Sequence, residues 1–303
     1  RTSGKPACYT AISRTEKMNI NIRKSTDYIQ KQLFLNKTGT VHSVYQKTIN
    51  IRMGTMLFAL QSCGSPVSPV SMICNLSEED FSSLHIQVND PVSVSENKLF
   101  IQSADLLYCF HFSGCRVLTV HPGTPLPSAH AELIQMAIDH SHTGGFRNLF
   151  TSSISAVPDP EFLILPAVRT ILDECRDLVT KKSYPDAAIC LSRLIGIGIG
   201  LTPSGDDFLC GILAGFPLWN AASHPLFLQL QKLLPDCLAR TNDISRTFLR
   251  CALDGYFSEA IQYLADCISE EEILQSFEAI GHSSGMDSLS GILFVHELLY
   301  FHL

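Results

Sequence analysis

Between residues 37 and 120, apolar and polar positions alternate in short runs. Residues 40–45 and 48–51 follow period two, the mark of strands that bury one face. Further candidates lie at 57–60, 70–74, 85–88, 92–94, 98–101 and 106–112, with Gly, Pro, Asn and Asp between them. Many short strands with such turns predict an antiparallel barrel or sandwich, which 117–120 would close. Residues 1–30 are polar and give no clear element. Pro122, Pro125 and Pro127 then interrupt the chain. A helical period over 128–140 would bridge the two halves; 140–150, with Gly144 and Gly145, reads as a loop, and 152–160 as a Ser/Pro-rich linker. From residue 161 the period becomes helical, with helices expected at 161–181, 185–195, 205–219, 225–240, 244–254, 258–267, 270–280 and 285–301. Pro185 suits a first helical turn, and the last helix, apolar on most faces, is expected to be buried. The expected fold class is α+β, with a β-rich domain over 1–150, barrel- or sandwich-like, and an all-helical domain over 151–303.

Two of the expected helices start alike. Residues 203–213 and 283–293 align at a constant offset of 80 and agree at seven of eleven positions: Ser204/Ser284, Gly205/Gly285, Asp207/Asp287, Leu209/Leu289, Gly211/Gly291, Ile212/Ile292 and Leu213/Leu293. This is a duplicated helix-loop-helix unit. In each copy a Gly suited to a helix end, Gly196 or Gly281, leads into a loop that is five residues longer in the first copy. Ser-Gly-x-Asp follows, with the spacing of a capping box in which Ser is the N-cap. Four residues beyond each Asp, on the same helix face, stands Gly211 or Gly291. Gly inside a helix costs about 1 kcal/mol relative to Ala. Its repetition predicts that the two helices cross there, with Asp207 and Asp287 converging one turn above the crossing.

Composition narrows the function. The 303 residues are 46% hydrophobic and 17% charged, with a net charge of −7. No basic run suggests nucleic acid, and no apolar run of about 18 residues or more suggests a membrane span. Residues 1–24 lack the apolar core of a secretory signal. The 11 cysteines are irregularly spaced, without C-x-x-C, as in a reduced cytoplasmic protein. Clustered zinc ligands are absent, and no haem signature is present.

The candidate chemistry sits in the paired loops. Gly196-Ile197-Gly198-Ile199-Gly200 matches neither the dinucleotide nor the P-loop fingerprint. A glycine loop entering a helix can still cradle an anion with backbone N–H groups, although glycine is also used for backbone angles alone. Candidate ligand-binding positions are Gly198, Gly200, Thr202, Ser204, Gly205, His282, Ser283, Ser284 and Gly285. Asp206, Asp207 and Asp287 are the candidate catalytic residues. Helix N-termini attract anions whereas carboxylates repel them, and three arrangements reconcile the two. Mg²⁺ held by Asp207 and Asp287 bridges the charges; an aspartate acts as a base on a bound amide or amine; or capping consumes the carboxylates. If the motifs are structural caps only, Asp206→Asn leaves fold and binding untouched. The stretch 240–245 opens another helix, with Asp243 or Thr241 as its expected cap, and Ser43 and Asn50 stand out as polar residues in apolar strands.

The motif G-L-T-P-S-G-D-D over 200–207, together with A-L-D-G-Y-F over 252–257 and G-H-S-S-G-M-D over 281–287, resembles the AllH-like family, long catalogued as a bacterial domain of unknown function. The likeness is clear from about 185 to 299 and weaker near G-T-V-H-S-V-Y over 39–45. It implies a subunit of an oxamate carbamoyltransferase in anaerobic allantoin breakdown, carrying a carbamoyl group between oxalurate and phosphate. It also implies a small anionic substrate and partner subunits. The alternative is a non-catalytic binding or scaffolding subunit whose partners perform the chemistry.

Overall fold

The computed structural model describes residues 16–104, 106–151 and 160–300. The linker expected at 152–160 lies, except for its last residue, outside the described residues. Two compact units are present. One takes in the described residues up to Ser25 with Ile29–Ser65 and Met72–Val117; the other takes in Thr26–Tyr28, Pro66–Ser71 and the described residues from Leu118 onward.

The first unit is a barrel. Its strands are β1 (Glu16–Thr26), β2 (Thr38–Val44), β3 (Thr48–Met53), β4 (Met56–Gln61), β5 (Ser71–Cys74), β6 (Pro91–Ser95), β7 (Lys98–Ser103), β8 (Leu106–His111) and β9 (Arg116–Leu118). The order is β5-β4-β3-β2-β6-β7-β8-β1-β9, and β1 also pairs with β5, closing eight strands. Closure leaves few free edges. The closing strand is therefore β1, parallel to β8 and antiparallel to β5, and not the expected 117–120. β1 lies in the polar stretch that gave no element because only alternate side chains, Ile20 and Ile22, face the core. The β6–β7 hairpin turns at Glu96 and Asn97, both with positive φ, as a type I′ turn requires. Asn50 and Ser43 pair across β3 and β2, and the Asn50 amide donates to the Ser43 hydroxyl at 3.0 Å. Residues 85–88 do not form the expected strand. His85 N–H is bonded to Tyr108 Oη, and His85 C=O accepts from Ser103 Oγ, so side chains take the groups a ladder needs.

Two short helices, α1 (Asp27–Gln32) and α2 (Glu78–Ser82), interrupt the strands. The second unit is helical: α3 (His130–His140), α4 (Leu165–Thr180), α5 (Tyr184–Ser192), α6 (Ser204–Leu218), α7 (Pro225–Cys237), α8 (Asp243–Leu253), α9 (Glu259–Gln262), α10 (Glu270–Glu278) and α11 (Ser284–Tyr300). Pro166, Pro185 and Pro225 occupy first turns, where a missing N–H costs nothing. Both copies of the duplicated unit form central helices; α6 buries all but one of its residues and α11 most of its own. They pack chiefly on each other, with α8 against α6, and α3 and α10 against α11. Six of the ten described cysteines are buried, and none of the ten is in a disulfide. No helix among the described residues is long and apolar enough to cross a membrane.

The crossing falls at the paired glycines. A Cβ on Gly211 would overlap the carbonyl oxygen of Ser288, and one on Gly291 would overlap that of Phe208. Phe208 and Ser288 are themselves 80 residues apart, so each glycine meets the counterpart of the residue its partner meets. The two helices are related as by a local twofold axis.

Candidate functional site

The same exchange holds one turn toward the helix starts. The Ser284 hydroxyl sits by Asp207 and the Ser204 hydroxyl by Asp287, each favouring the charged form of the acid beside it. Each copy's serine thus stands beside the other copy's aspartate. Asp207 is 7% exposed and Asp287 0%. Thr202 Oγ1 lies 2.8 Å from Ser284 Oγ and also favours the charged form of Asp207. Phe146 N–H donates to Asp287 Oδ1 at 2.6 Å from the turn at Gly144 and Gly145. Gly145 has φ of 84°, and a Cβ there would strike the Asp287 carboxyl, so this turn is shaped to the acid. The sequence offered it only as a loop.

The capping box does not form. Ser204 is the first helical residue, behind Pro203, which supplies no side-chain cap. The Ser204 hydroxyl donates instead to Glu161 Oε2 at 2.7 Å. Glu161, 4% exposed, also accepts Ile199 N–H on Oε1 at 2.7 Å. Local sequence gave no sign of Glu161, because its partners lie 38 and 43 residues away.

Burial raises both central acids. It pushes Asp207 up to about 8, against the Ser284 and Thr202 hydroxyls, with Asp206 and Glu161 adding to the rise. Burial and then the Asp207 charge push Asp287 well above the carboxylate range. Both Oδ2 atoms are closed to solvent and accept no hydrogen bond. The Ser204 proton goes to Glu161. Burial thus favours the protonated form of both acids, which lessens their repulsion of an anion at the same helix starts. No group of three or more His, Cys, Asp or Glu side chains is arranged to hold a metal ion among the described residues. Two buried carboxyls, each with one oxygen engaged by the protein and the other shut from water, do not offer Mg²⁺ its octahedral, partly hydrated shell.

Asp206 points the other way. Its Oδ1 accepts Gly196 N–H at 2.9 Å and its Oδ2 accepts Thr241 Oγ1–H at 2.5 Å, and at 1% exposure it is pushed up by burial, against those two donors and Ser245. Asp206 therefore ties the end of the α5 segment to the approach of α8. The α8 cap is Asn242, not Asp243 or Thr241; its side-chain oxygen accepts from Ile244 and Ser245 N–H, and its amide donates to Leu201 C=O at 3.0 Å. Asp206→Ala leaves Gly196 N–H and Thr241 without partners and is expected to cost about 2–4 kcal/mol. Asp206→Asn keeps one bond and is expected to cost roughly half as much. Urea unfolding midpoints check both; an Asn variant equal to wild type would restore the structural-cap expectation.

Other candidate positions divide by depth. Ser204, Gly205 and Gly285 are buried beneath the loops; Thr202, Ser283, Ser284 and Gly198 are half-buried. Gly198, with φ of 123°, lies against Ser204 N and Glu161. Gly200 and His282 are exposed on the loop surface and stand outside the buried cluster. What reaches solvent is a rim of hydroxyls and loop backbone over two helix starts.

An eight-stranded barrel followed by a helical unit, built on two crossed Ser-Gly-x-Asp helices, defines a two-part α+β protein with one duplicated core motif. Residues 194–296 match the family model described as oxamate carbamoyltransferase subunit AllH, and residues 15–117 match the AllH family N-terminal domain. The two matches together cover about two thirds of the chain, and the chain belongs to the AllH family. No solved structure matches it.

Proposed function

We propose that this subunit binds the small anionic substrate of a carbamoyltransferase at the paired loops 198–207 and 282–287, and takes part in carbamoyl transfer between oxalurate and phosphate. The observation that carries this reading is the crossing of α6 and α11, Gly211 on Ser288 and Gly291 on Phe208, which sets two helix starts side by side, with burial favouring the neutral form of Asp207 and Asp287. In the reaction, a phosphate oxygen attacks the ureido carbon of oxalurate. The C–N bond breaks, oxamate leaves, and the proton of hydrogen phosphate ends on the oxamate nitrogen. The Thr202, Ser283 and Ser284 hydroxyls stabilise charge developing on the carbamoyl oxygen. Asp207, the less buried acid and raised to about 8, is poised to relay the proton near neutral pH.

One observation favours a second reading. Both Oδ2 atoms are shut from solvent, which suits acids that scaffold the loops while partner subunits perform the chemistry.

A thermal-shift panel with oxamate, oxalurate, carbamoyl phosphate and phosphate tests the site. A ligand that binds only the folded chain stabilises it by about 2.7 kcal/mol at a hundredfold excess over its Kd. The expected result is a shift with carbamoyl phosphate or oxalurate that Thr202→Ala with Ser284→Ala abolishes. No shift with any of the four sinks the site. A shift with turnover only after partner subunits are added selects the second reading.

A further inference from the structure

We infer that Glu161 is a positioning residue that latches the glycine loop onto the first residue of α6 and so sets the shape of the anion site. The inference rests on the reading of that site given above. One carboxylate oxygen holds Ile199 N–H, in the middle of the loop, and the other holds the Ser204 hydroxyl at the helix start, both at 2.7 Å. A single buried side chain thus spans the two pieces of backbone that form the loop's base. The packing is as close as the bonding: a Cβ on Gly198 would come to 2.9 Å from Glu161 Oε1. A bulkier residue at 198 therefore could not coexist with the latched glutamate.

The latch is asymmetric. It holds only the first copy, whose loop is the longer by five residues. The exposed Ile199 and Leu201 side chains, more than half accessible, do not anchor that extra length in the core. The loop is fastened by polar contacts instead: Glu161 at Ile199, Asn242 at Leu201, and Gly205 N–H on Ile197 C=O at 2.8 Å. Of these, only Glu161 joins the loop tip to Ser204, the serine beside Asp287. Through Ser204 it links the loop's geometry to the acid pair.

The test measures hydrogen exchange at the Ile199 amide, carbamoyl phosphate affinity by calorimetry, and thermal unfolding. It uses the full chain as wild type, Glu161→Ala and Glu161→Gln. In Glu161→Gln the amide oxygen still accepts Ile199 N–H, and its N–H₂ group donates to Ser204. Hydrogen bonds to charged groups predict roughly tenfold to a hundredfold faster Ile199 exchange in Glu161→Ala. Amides in α4 and α7 should be unchanged, and carbamoyl phosphate affinity should drop roughly in step. Glu161→Gln is expected to stay within about threefold of wild type on both readouts, since the bond to Ile199 survives. Unchanged Ile199 exchange in Glu161→Ala overturns the latch. So does faster exchange with unchanged affinity, because the loop's position would then not matter to the ligand. If Glu161→Ala fails to fold, Glu161→Gln decides: loss of affinity without loss of Tm contradicts positioning through Ile199. If the wild-type chain does not bind carbamoyl phosphate, the anion-site reading fails, and exchange at Ile199 still judges the latch.

Discussion

Gly211→Ala is expected to lower the melting temperature by about 6–12 °C, the equivalent of roughly 3 kcal/mol in a unit of this size. On an open helix the same change gains about 1 kcal/mol in helix propensity. Here the added methyl would overlap the Ser288 carbonyl oxygen, with its carbonyl carbon and Cα close behind at 2.7 and 2.9 Å. The obstacle is backbone of a helix buried on nearly every side, so no rotamer change relieves it. The helices must separate, and the separation is felt at every contact along the α6–α11 seam. The local twofold adds a sharper expectation. Gly291→Ala meets Phe208 in the same way and should cost a similar amount. Once the first methyl has forced the helices apart, the second finds room, so the double variant should fall short of the sum. Thermal unfolding of the three variants checks this. A Gly211→Ala protein within about 2 °C of wild type would mean that the crossing is looser than described.

That crossing was legible in the chain itself. Seven identities at one offset, and a glycine repeated where a helix disfavours it, located the contact before any geometry was known. The helices from 161 onward were readable for a similar local reason: period, first-turn prolines and turn residues mark each start. The parts that could not be read depend on partners distant in sequence. Phe146 N–H reaches Asp287 across 141 residues. Ser204, which has the spacing of a cap, turns to Glu161 once the fold brings a buried acceptor within reach. Local spacing proposed the capping box, and tertiary contact overrode it. In the barrel, β1 was hidden because its outward face is charged and amidic, whereas 85–88 had strand character that Tyr108 and Ser103 cancelled. For the candidate site, the sequence identified both aspartates and all four loop hydroxyls. It could not reveal that burial would favour the protonated acids, since burial is a property of the whole unit.

That protonation has a measurable consequence: between pH 6.5 and 8 the protein is expected to lose stability as pH rises. Asp207 and Asp287 hold protons in the folded state, with Asp207 raised to about 8, but release them near pH 4 when unfolded. The folded chain binds more protons throughout this window, so its advantage is complete below about pH 4 and lost as pH rises through the folded values. Each such group contributes a slope of up to about 1.4 kcal/mol per pH unit, less for Asp207 as it nears half ionisation. His224 and His296, both lowered by burial, act in the opposite direction, with an effect that fades as pH rises above about 6.5, where the unfolded imidazoles also lose their protons. Asp287→Asn separates charge from structure. The asparagine oxygen can accept Phe146 N–H as Asp287 Oδ1 does, and its N–H₂ takes the place of Oδ2, which has no hydrogen-bond partner in either protein. The variant is therefore expected to match wild type within about 1 kcal/mol at pH 6.5, and to be the more stable of the two at pH 8. Asp287→Ala should lose about 2–3 kcal/mol at pH 6.5, because Phe146 N–H is then buried without a partner, and the deficit should shrink toward pH 8 because the variant lacks the titrating acid. Urea unfolding across the window decides. Wild-type stability that is flat or rises toward pH 8, or an asparagine variant that is weaker there, would show that the pair is ionised. The anion site would then face two negative charges in place of two neutral acids.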